Sequence, residues 1–441
     1  MALAKSVANV PNESLRDRLG WGHRGFRVES RRAATIGLLL LLAIPFVLDQ
    51  VGAQIRMAKH HPDLQRWLAL ASDVSADPAQ QVYRPGGWYL YPPFFLALMR
   101  PLSGLAPWAA VLVFETLKWI ALFFSLRFAW RLCAPRDEDM PPIVAIGSII
   151  ITWRFIWNDL GQGNVNLFIL LAVLGACRLI QTRRDMAAGA VIAIAACVKV
   201  APALLLVYFV YKGRWKSLVG AAAACVICLI LAPALAYGWS DNLRLLNGWF
   251  DAVVVAFVDK GGVDSLHTNQ SLTAIINRLF SAAVALEPDI RVTLIDLPQR
   301  ARDLLRAGMG VSLLGLLGWC CRRRRGEQIH SLAFAAEAGL VLIVMLLMSG
   351  ISWKAHFVTM LLPYVVLLAF LADARNGGPR RLIGGLLLTS ILLCTFTGDL
   401  ITPTGANYAE AYGVIAIGAM AAGIGLVVVR QSVTGSARYE P

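Results

Sequence analysis

The stretch Ala190–Tyr211, AVIAIAACVKVAPALLLVYFVY, carries a single charge, Lys199, three residues before Pro202. An apolar run of this length reads as a membrane-crossing helix, because about 20 residues cover the hydrocarbon core. Pro202 argues against one straight crossing. It has no N–H to donate, and its ring clashes with the preceding turn. Two half-spans meeting near Lys199 fit better, and the chain then enters and leaves on the same side. A helical, membrane-embedded fold with one lysine at a helix break follows from these residues.

The rest of the chain agrees. Of its 441 residues, 58% are hydrophobic and 15% charged, against about a quarter charged in a soluble domain. Several runs of 16 to 20 residues lack Asp, Glu, Lys and Arg, as transmembrane helices do. Apolar segments fall near 33–51, 107–130, 142–157, 165–181, 186–198, 202–211, 218–237, 304–320, 331–348, 356–372, 381–397 and 412–429. The piece Pro92–Leu105, interrupted by Arg100 and Pro101, is too short to span and reads as a re-entrant or interfacial helix. Trp21, Trp88, Trp108, Trp130, Trp239 and Trp353 stand near run ends, where interfacial anchors sit. The fold class expected is an all-α polytopic membrane protein with about a dozen spans in one domain, residues 33–430. A basic arm, 1–32, precedes it and a short tail, 431–441, follows. The run 33–51 is long for a signal peptide and no clear cleavage site follows it, so it reads as the first span.

Orientation comes from Lys and Arg. The net charge of +14 is gathered in short segments between spans, the positive-inside pattern, which argues against nucleic acid as a partner. Arg16, Arg18, Arg24, Arg27, Arg31 and Arg32 place the arm in the cytoplasm, as they do the loops holding Arg178, Arg183, Arg184, Lys212, Arg214, Lys216, Arg322–Arg325, Arg375, Arg380 and Arg381. In the loop 131–140, Asp137, Glu138 and Asp139 offset Arg131 and Arg136. Two long segments, 52–91 and 238–303, fall outside. Neither half of the chain repeats the other, which argues against an inverted-repeat transporter. Cys225 and Cys228, among eight cysteines, lie in an apolar run and read as helix packing.

This topology gathers the polar clusters on one face. They are PDLQRW (62–67), YLYPPFF (89–95), NDLGQGNVN (158–166), Lys199, LHTNQSLTAIINRLF (266–280) and SWKAHF (352–357). Asp63 opens a helix whose Leu64, Trp67, Leu68 and Ala71 recur at one-face spacing; it reads as an N-cap or as a general base at the water–lipid boundary. In GQGN the glycines permit close approach, and Gln162, Asn164 and Asn166 offer amides, for a ligand or for an interhelical turn. A lysine in the membrane suggests a role in pairing with an anion, or a snorkelling side chain. The Asn269–Ser271 helix start, with Gln270 and Arg278 nearby, suits phosphate or sugar oxygens or a plain cap. Lys354 and His356 flank the start of a span. Glu115 and Lys118 read as an i,i+3 pair, Glu337 shows no evident partner, and His60, His61, His267 and His356 lack metal-ligand spacing.

In order, these motifs resemble glycosyltransferase family 87, a branch of the GT-C superfamily of polyprenyl-phosphate-sugar-dependent enzymes. They are the aspartate in the first external loop, the aromatic-Pro-Pro helix start, GQGN, AACVKVAP, NQSL with a following Arg, and SW with a following His. The similarity covers roughly 33 to 400. The resemblance implies a GT-C fold with interfacial helices and an active site outside the cytoplasm. It implies sugar transfer, with inversion, from a lipid monophosphate to a lipid or glycan hydroxyl, mannose and arabinose being the precedents. It implies no required metal or other cofactor. The catalytic aspartate maps onto Asp63. Donor-site positions map onto Gln162, Asn164, Lys199 and His356, with Lys354 beside the last, and further onto Asn269, Gln270 and Arg278. Trp67 and Tyr91 fall on the acceptor side. Leu64 and Trp67 stand where relatives often carry an aromatic and a Tyr, a departure that bears on acceptor choice. Asp73, Asp77 and Asp159 are rival carboxylates. The expected location is a bacterial cytoplasmic membrane with the site facing the periplasm or exterior. The competing readings are a lipid or solute transporter or flippase, using Glu115, Lys118, Lys199 and Glu337 as a relay, and a scaffold without chemistry.

Overall fold

A computed structural model describes residues 62–72, 82–83, 87–134, 139–255, 265–282, 290–322, 331–373, 379–395 and 402–436, with Ile44 and Leu48. Of the unit Met1–Pro45 only Ile44 is described, and it is helical. The remaining architecture belongs to the unit Phe46–Pro441. The expected first span, apart from Ile44 and Leu48, lies outside the described residues, as do His60, His61, Asp73, Asp77 and Arg323–Arg325.

Among the described residues the structure is helical, with no strand. In a bilayer this is required: only a helix satisfies every backbone group within one segment. In chain order the helices are α1 (Pro62–Ser72), α2 (Pro93–Ser103), α3 (Pro107–Cys133), α4 (Pro142–Gln162), α5 (Asn166–Gln181), α6 (Asp185–Val198) and α7 (Ala203–Tyr211). Then come α8 (Lys216–Tyr237), α9 (Trp239–Trp249), α10 (Leu272–Leu279), α11 (Gln299–Cys321), α12 (Ser331–Met348), α13 (Lys354–Ala372), α14 (Arg380–Thr395), α15 (Pro403–Ala411) and α16 (Val414–Ser436). Seven of these, α3, α4, α8, α11, α12, α13 and α16, are long and apolar enough to cross a membrane. Among the described residues the expected dozen is thereby corrected: one expected span, 33–51, lies outside them, and for four others the reason is length. α5, α6, α7 and α14 have 16, 14, 9 and 16 residues, below the ~20 of an upright crossing.

Local chemistry sets the boundaries. Prolines open α2, α3 and α4, where a missing N–H costs nothing because the first-turn N–H groups lack partners anyway. Lys199 is extended (φ −149°, ψ 122°) between α6 and α7, so the break at CVKVAP is real. Gly163 ends α4 in the left-handed region (φ 63°), and the N–H of Asn164 returns to the carbonyl of Asp159 at 3.0 Å. This turn leads into α5, which packs against α3 and α6.

Burial ranks the helices. The apolar windows of α12 and α13 are 89% and 83% buried, that of α11 only 11%. The first two form the centre and α11 faces outward. α6 and α8 meet at two glycines: a Cβ at Gly189 would land on the carbonyl of Ser217, and one at Gly220 on that of Met186. α1 lays Leu64, Trp67 and Ala71 into a cluster with Phe95, Leu96 and Met99 of α2, as its spacing predicts.

Near the start of α12, Glu337 is not alone. Its carboxylate accepts from Tyr208 Oη (2.6 Å) and Arg430 Nε (2.8 Å) and pairs with Lys212 Nζ (2.9 Å). Lys212 and Arg430 also donate to the carbonyls of Cys321 and Arg322. Four helices, α7, α11, α12 and α16, are tied at this end. The sequence showed no partner because the three lie 93 to 129 residues away. Removing one member of a buried cluster strands the other charges. Glu337→Ala is expected to lower stability by roughly 3–5 kcal/mol, read as a fall in the thermal midpoint of the detergent-purified protein.

Candidate functional site

Asp63 stands in the first turn of α1. The buried face of α1 fixes its position: Trp67 meets Tyr91 and Phe95 edge-on, with ring centroids 5.2 and 4.8 Å apart. Such pairs add about 0.5–1.5 kcal/mol each beyond burial. The expected acceptor-side residues Trp67 and Tyr91 are thus part of the wall that holds the aspartate.

Opposite this wall is the α4–α5 turn. Asn164 Nδ2 donates to Asp63 Oδ2 at 2.8 Å. Asn164 Oδ1 accepts from the N–H of Val165 and from Asn166 Nδ2, both at 2.8 Å. Asn166 Nδ2 also donates to Asp159 Oδ1 (3.0 Å), and its N–H does the same (3.2 Å). Lys199 Nζ, delivered by the α6–α7 break, donates to Asn166 Oδ1 at 2.8 Å. On the far side Lys118 Nζ lies 3.2 Å from Asp159 Oδ2 and 3.7 Å from Glu115. One chain of polar contacts therefore runs from Asp63 to Lys199 and back into α3. Asp159, a rival carboxylate in the sequence, is fully buried and held by Lys118 and Asn166.

Burial pushes the Asp63 carboxyl above the ordinary carboxylate range. The Asn164 hydrogen bond and the charges of Arg66, Lys199 and Lys118 act against that shift. Burial also raises the Tyr91 hydroxyl, with Asp63 and Asp159 adding to it. A half-buried carboxylate that burial makes more basic and that Asn164 orients is placed to take up a proton.

Beyond Asn166 and Lys199 opens a small cavity of about 20 Å³, shared with His356, Ser349, Ser352 and Thr359. His356 Nδ1 accepts the N–H of Trp353 at 2.9 Å. That bond assigns the ring proton to Nε2.

The other expected residues gather beside this cavity. Asn269 Oδ1 accepts the N–H groups of Ser271 (3.1 Å) and Ser352 (2.9 Å), and its amide donates to the carbonyl of Gly350 (3.0 Å). The N–H of Gln270 bonds the carbonyl of Ser352, and its side chain bonds those of His267 and Glu410. Arg278, fully buried, donates to the carbonyls of Leu266, Asn269, Glu410 and Ala411. The Asn269 side chain and the Gln270 N–H hold the 349–356 loop, and so His356, in place, while Arg278 fixes the segment that carries Asn269. Lys354 pairs with Glu410 at 2.6 Å, which Arg154 also reaches at 3.2 Å. Gln162 is exposed at the end of α4. Asn166 joins both sides of the site. In the sequence it was one amide among several in NDLGQGNVN, and its central place depends on Lys199, 33 residues on. Among the described residues no three His, Cys, Asp or Glu side chains converge as a metal site.

Comparison with known proteins bears on this arrangement. The family model described as Glycosyltransferase family 87 matches residues 89–350. That range holds the α4–α5 turn and Lys199; Asp63 and His356 lie on either side of it. A polyprenol-phosphate-mannose-dependent alpha-(1-2)-phosphatidylinositol mannoside mannosyltransferase of Mycolicibacterium smegmatis is 28% identical over 254 residues, 57% of this chain and 50% of the relative. A polyprenol-phosphate-mannose-dependent alpha-(1-2)-phosphatidylinositol pentamannoside mannosyltransferase of Mycobacterium tuberculosis is 25% identical over 316 residues, 69% of this chain and 63% of the relative. A protein of that second description from Mycolicibacterium smegmatis is 25% identical over 342 residues, 76% and 73%. The chain spans about half to two thirds of the length of the first two relatives. No solved structure matches. Because the family match covers more than half of its length, the chain belongs to glycosyltransferase family 87.

Proposed function

We propose that the protein is a membrane glycosyltransferase that moves a hexose, mannose by analogy with the relatives' names, from a polyprenyl-phosphate carrier to a hydroxyl of a lipid or glycan acceptor. The observation that carries this reading is the unbroken polar chain from Asp63 through Asn164 and Asn166 to Lys199. It links a half-buried carboxylate to an ammonium beside the His356 cavity. The Lys and Arg distribution supports a multi-pass protein of a bacterial cytoplasmic membrane, with this end facing the periplasm or exterior.

In the reaction Asp63 takes the proton of the acceptor hydroxyl while its oxygen attacks the anomeric carbon. A new C–O bond forms there, and the bond from that carbon to the phosphate oxygen breaks on the opposite face, inverting the centre. The polyprenyl phosphate leaves with the electron pair, and Asp63 then returns its proton to water. Lys199 and the His356 Nε2–H meet the charge that grows on the phosphate, a term of about 2.7–4 kcal/mol per well-placed donor. Membrane-held donor and acceptor meet without a further large loss of entropy. The step needs no metal.

A transporter reading places Glu115, Lys118, Lys199 and Glu337 in one relay. Glu337 instead serves the Tyr208, Lys212 and Arg430 cluster, about 12 Å along α12 from the cavity residue Met345. The geometry favours the enzyme.

Asp63→Asn is expected to lower kcat by about 10²–10⁴, assayed with polyprenol-phosphate-mannose and a phosphatidylinositol mannoside in detergent. Its melting temperature at neutral pH is not expected to fall. A carboxyl raised by burial fits the fold best when neutral, and stability declines as pH rises through the window between its ordinary and its raised range. For the same reason the acid limb of kcat/KM is expected above the ordinary carboxylate range, with activity lost as pH drops through it; a limb near pH 4, the ordinary carboxylate value, contradicts Asp63 as the base. Lys199→Ala is expected to raise the donor KM roughly 10- to 100-fold, the worth of a hydrogen bond to a charged group. An unchanged donor KM removes the lysine from the phosphate site.

A further inference from the structure

The hydrogen bonds around Asn166 have a direction, and it is set by groups that can only donate. The backbone N–H of Asn166 gives to Asp159 Oδ1 at 3.2 Å, so that oxygen is an acceptor, and the Asn166 amide nitrogen at 3.0 Å is its second donor. With that nitrogen committed to Asp159, the atom of the amide left facing Lys199 Nζ, at 2.8 Å, is Oδ1, which can only accept. The N–H of Val165 gives to Asn164 Oδ1 at 2.8 Å, so that oxygen also accepts. Asn166 therefore receives through its oxygen from Lys199 and gives through its nitrogen to Asp159 and Asn164. Asn164 is left with its nitrogen for Asp63 Oδ2, at 2.8 Å. Neither amide can be turned over without setting like groups against each other.

We infer that Asn166 is a positioning residue of this site: one amide whose fixed polarity ties the Lys199 ammonium to the Asp63 carboxylate and keeps that carboxylate ionised and ready to accept a proton. The inference rests on the transferase reading above. Asn166 does not touch a reacting atom; it acts through Asn164 on one side and Lys199 on the other. It is 3% exposed, so water does not compete for these bonds. Other groups face Asp63 and set the background on which Asn166 acts. They are Arg66 on α1 itself, Tyr91 before α2, Lys118 on α3 and Lys199 at the break, with Asp159 on α4 acting on Tyr91 in turn.

The test is Asn166→Asp, which keeps the size of the side chain and an oxygen for Lys199. It removes the donor and turns acceptors toward Asp159 and Asn164. The new charge by itself raises the Asp63 midpoint, so the uncharged Asn166→Leu, which removes the amide without adding charge, is measured beside it. If its polarity matters, Asp63 becomes harder to ionise. Two readouts separate the cases. The first is the ionisation midpoint of Asp63 in nanodisc-embedded protein. It is read from the infrared carboxyl band that is missing when Asp63→Asn is added to either background. The second is the acid limb of kcat with polyprenol-phosphate-mannose. Both are expected to move upward by about one pH unit or more, the size of a lost donor plus a like charge nearby. An unmoved midpoint in folded Asn166→Asp overturns the inference. In Asn166→Leu the midpoint is again expected to move upward; an unmoved midpoint in that folded variant overturns the inference equally. If the midpoint moves but wild type transfers no mannose, the coupling stands and the transferase reading fails.

Discussion

Charges in an apolar bundle set the terms of this structure. An ion moved out of water costs several kcal/mol unless partners surround it. Asp159 and Lys118 are fully buried, and each is stable there because the other is present and because Asn166 supplies Asp159 with two further donors. From that pair the remaining polar groups take their positions. Asn166 orients Asn164, Asn164 reaches Asp63, and Lys199 closes on Asn166. Helices α1, α3, α4 and α5 and the α6–α7 break are held to one another through side chains that are also the candidate chemistry. Rigidity and function draw on the same bonds, so substitutions here act on both.

The two polar clusters differ in what they leave open. Around Glu337 the carboxylate meets a hydroxyl, an ammonium and a guanidinium, and the cations in turn bond main-chain carbonyls. That is a clamp. Around Asp63 one side of the carboxylate is bound by Asn164 while the residue stays only half-buried. Lys199 and His356 border a cavity. Satisfied polar groups stabilise; partly satisfied ones beside open space can take a ligand. Arg278 illustrates the first kind. Its guanidinium faces four carbonyls, so its contribution to the site is made through the loop it fixes.

Much of the architecture was legible in the residues alone. Hydropathy, the lack of charge over long runs and the loop arginines are local properties, and they sufficed for a helical membrane protein. A proline's missing N–H is equally local, which is why the break at Lys199 could be read from CVKVAP. The stripe of Leu64, Trp67 and Ala71 announced the buried face of α1 by spacing. Helix number was less legible, because apolar runs that look alike in composition end as helices of 9 to 27 residues, and length is set by where neighbours cap and pack.

Pairing across the chain was decided only in three dimensions. Asp63 meets Asn164 over 101 residues, Glu337 meets Tyr208 over 129, and Arg154 meets Glu410 over 256. No periodicity or motif spacing carries information over such separations. The physical cause is that the bundle's packing, led by α12 and α13 and by the glycine contact of α6 with α8, chooses which helix ends adjoin. The sequence by itself determined which polar residues the membrane would tolerate only at a price, and hence which were worth watching. The tertiary structure determined which became a closed clamp, which braced a loop, and which were left facing one another across a cavity.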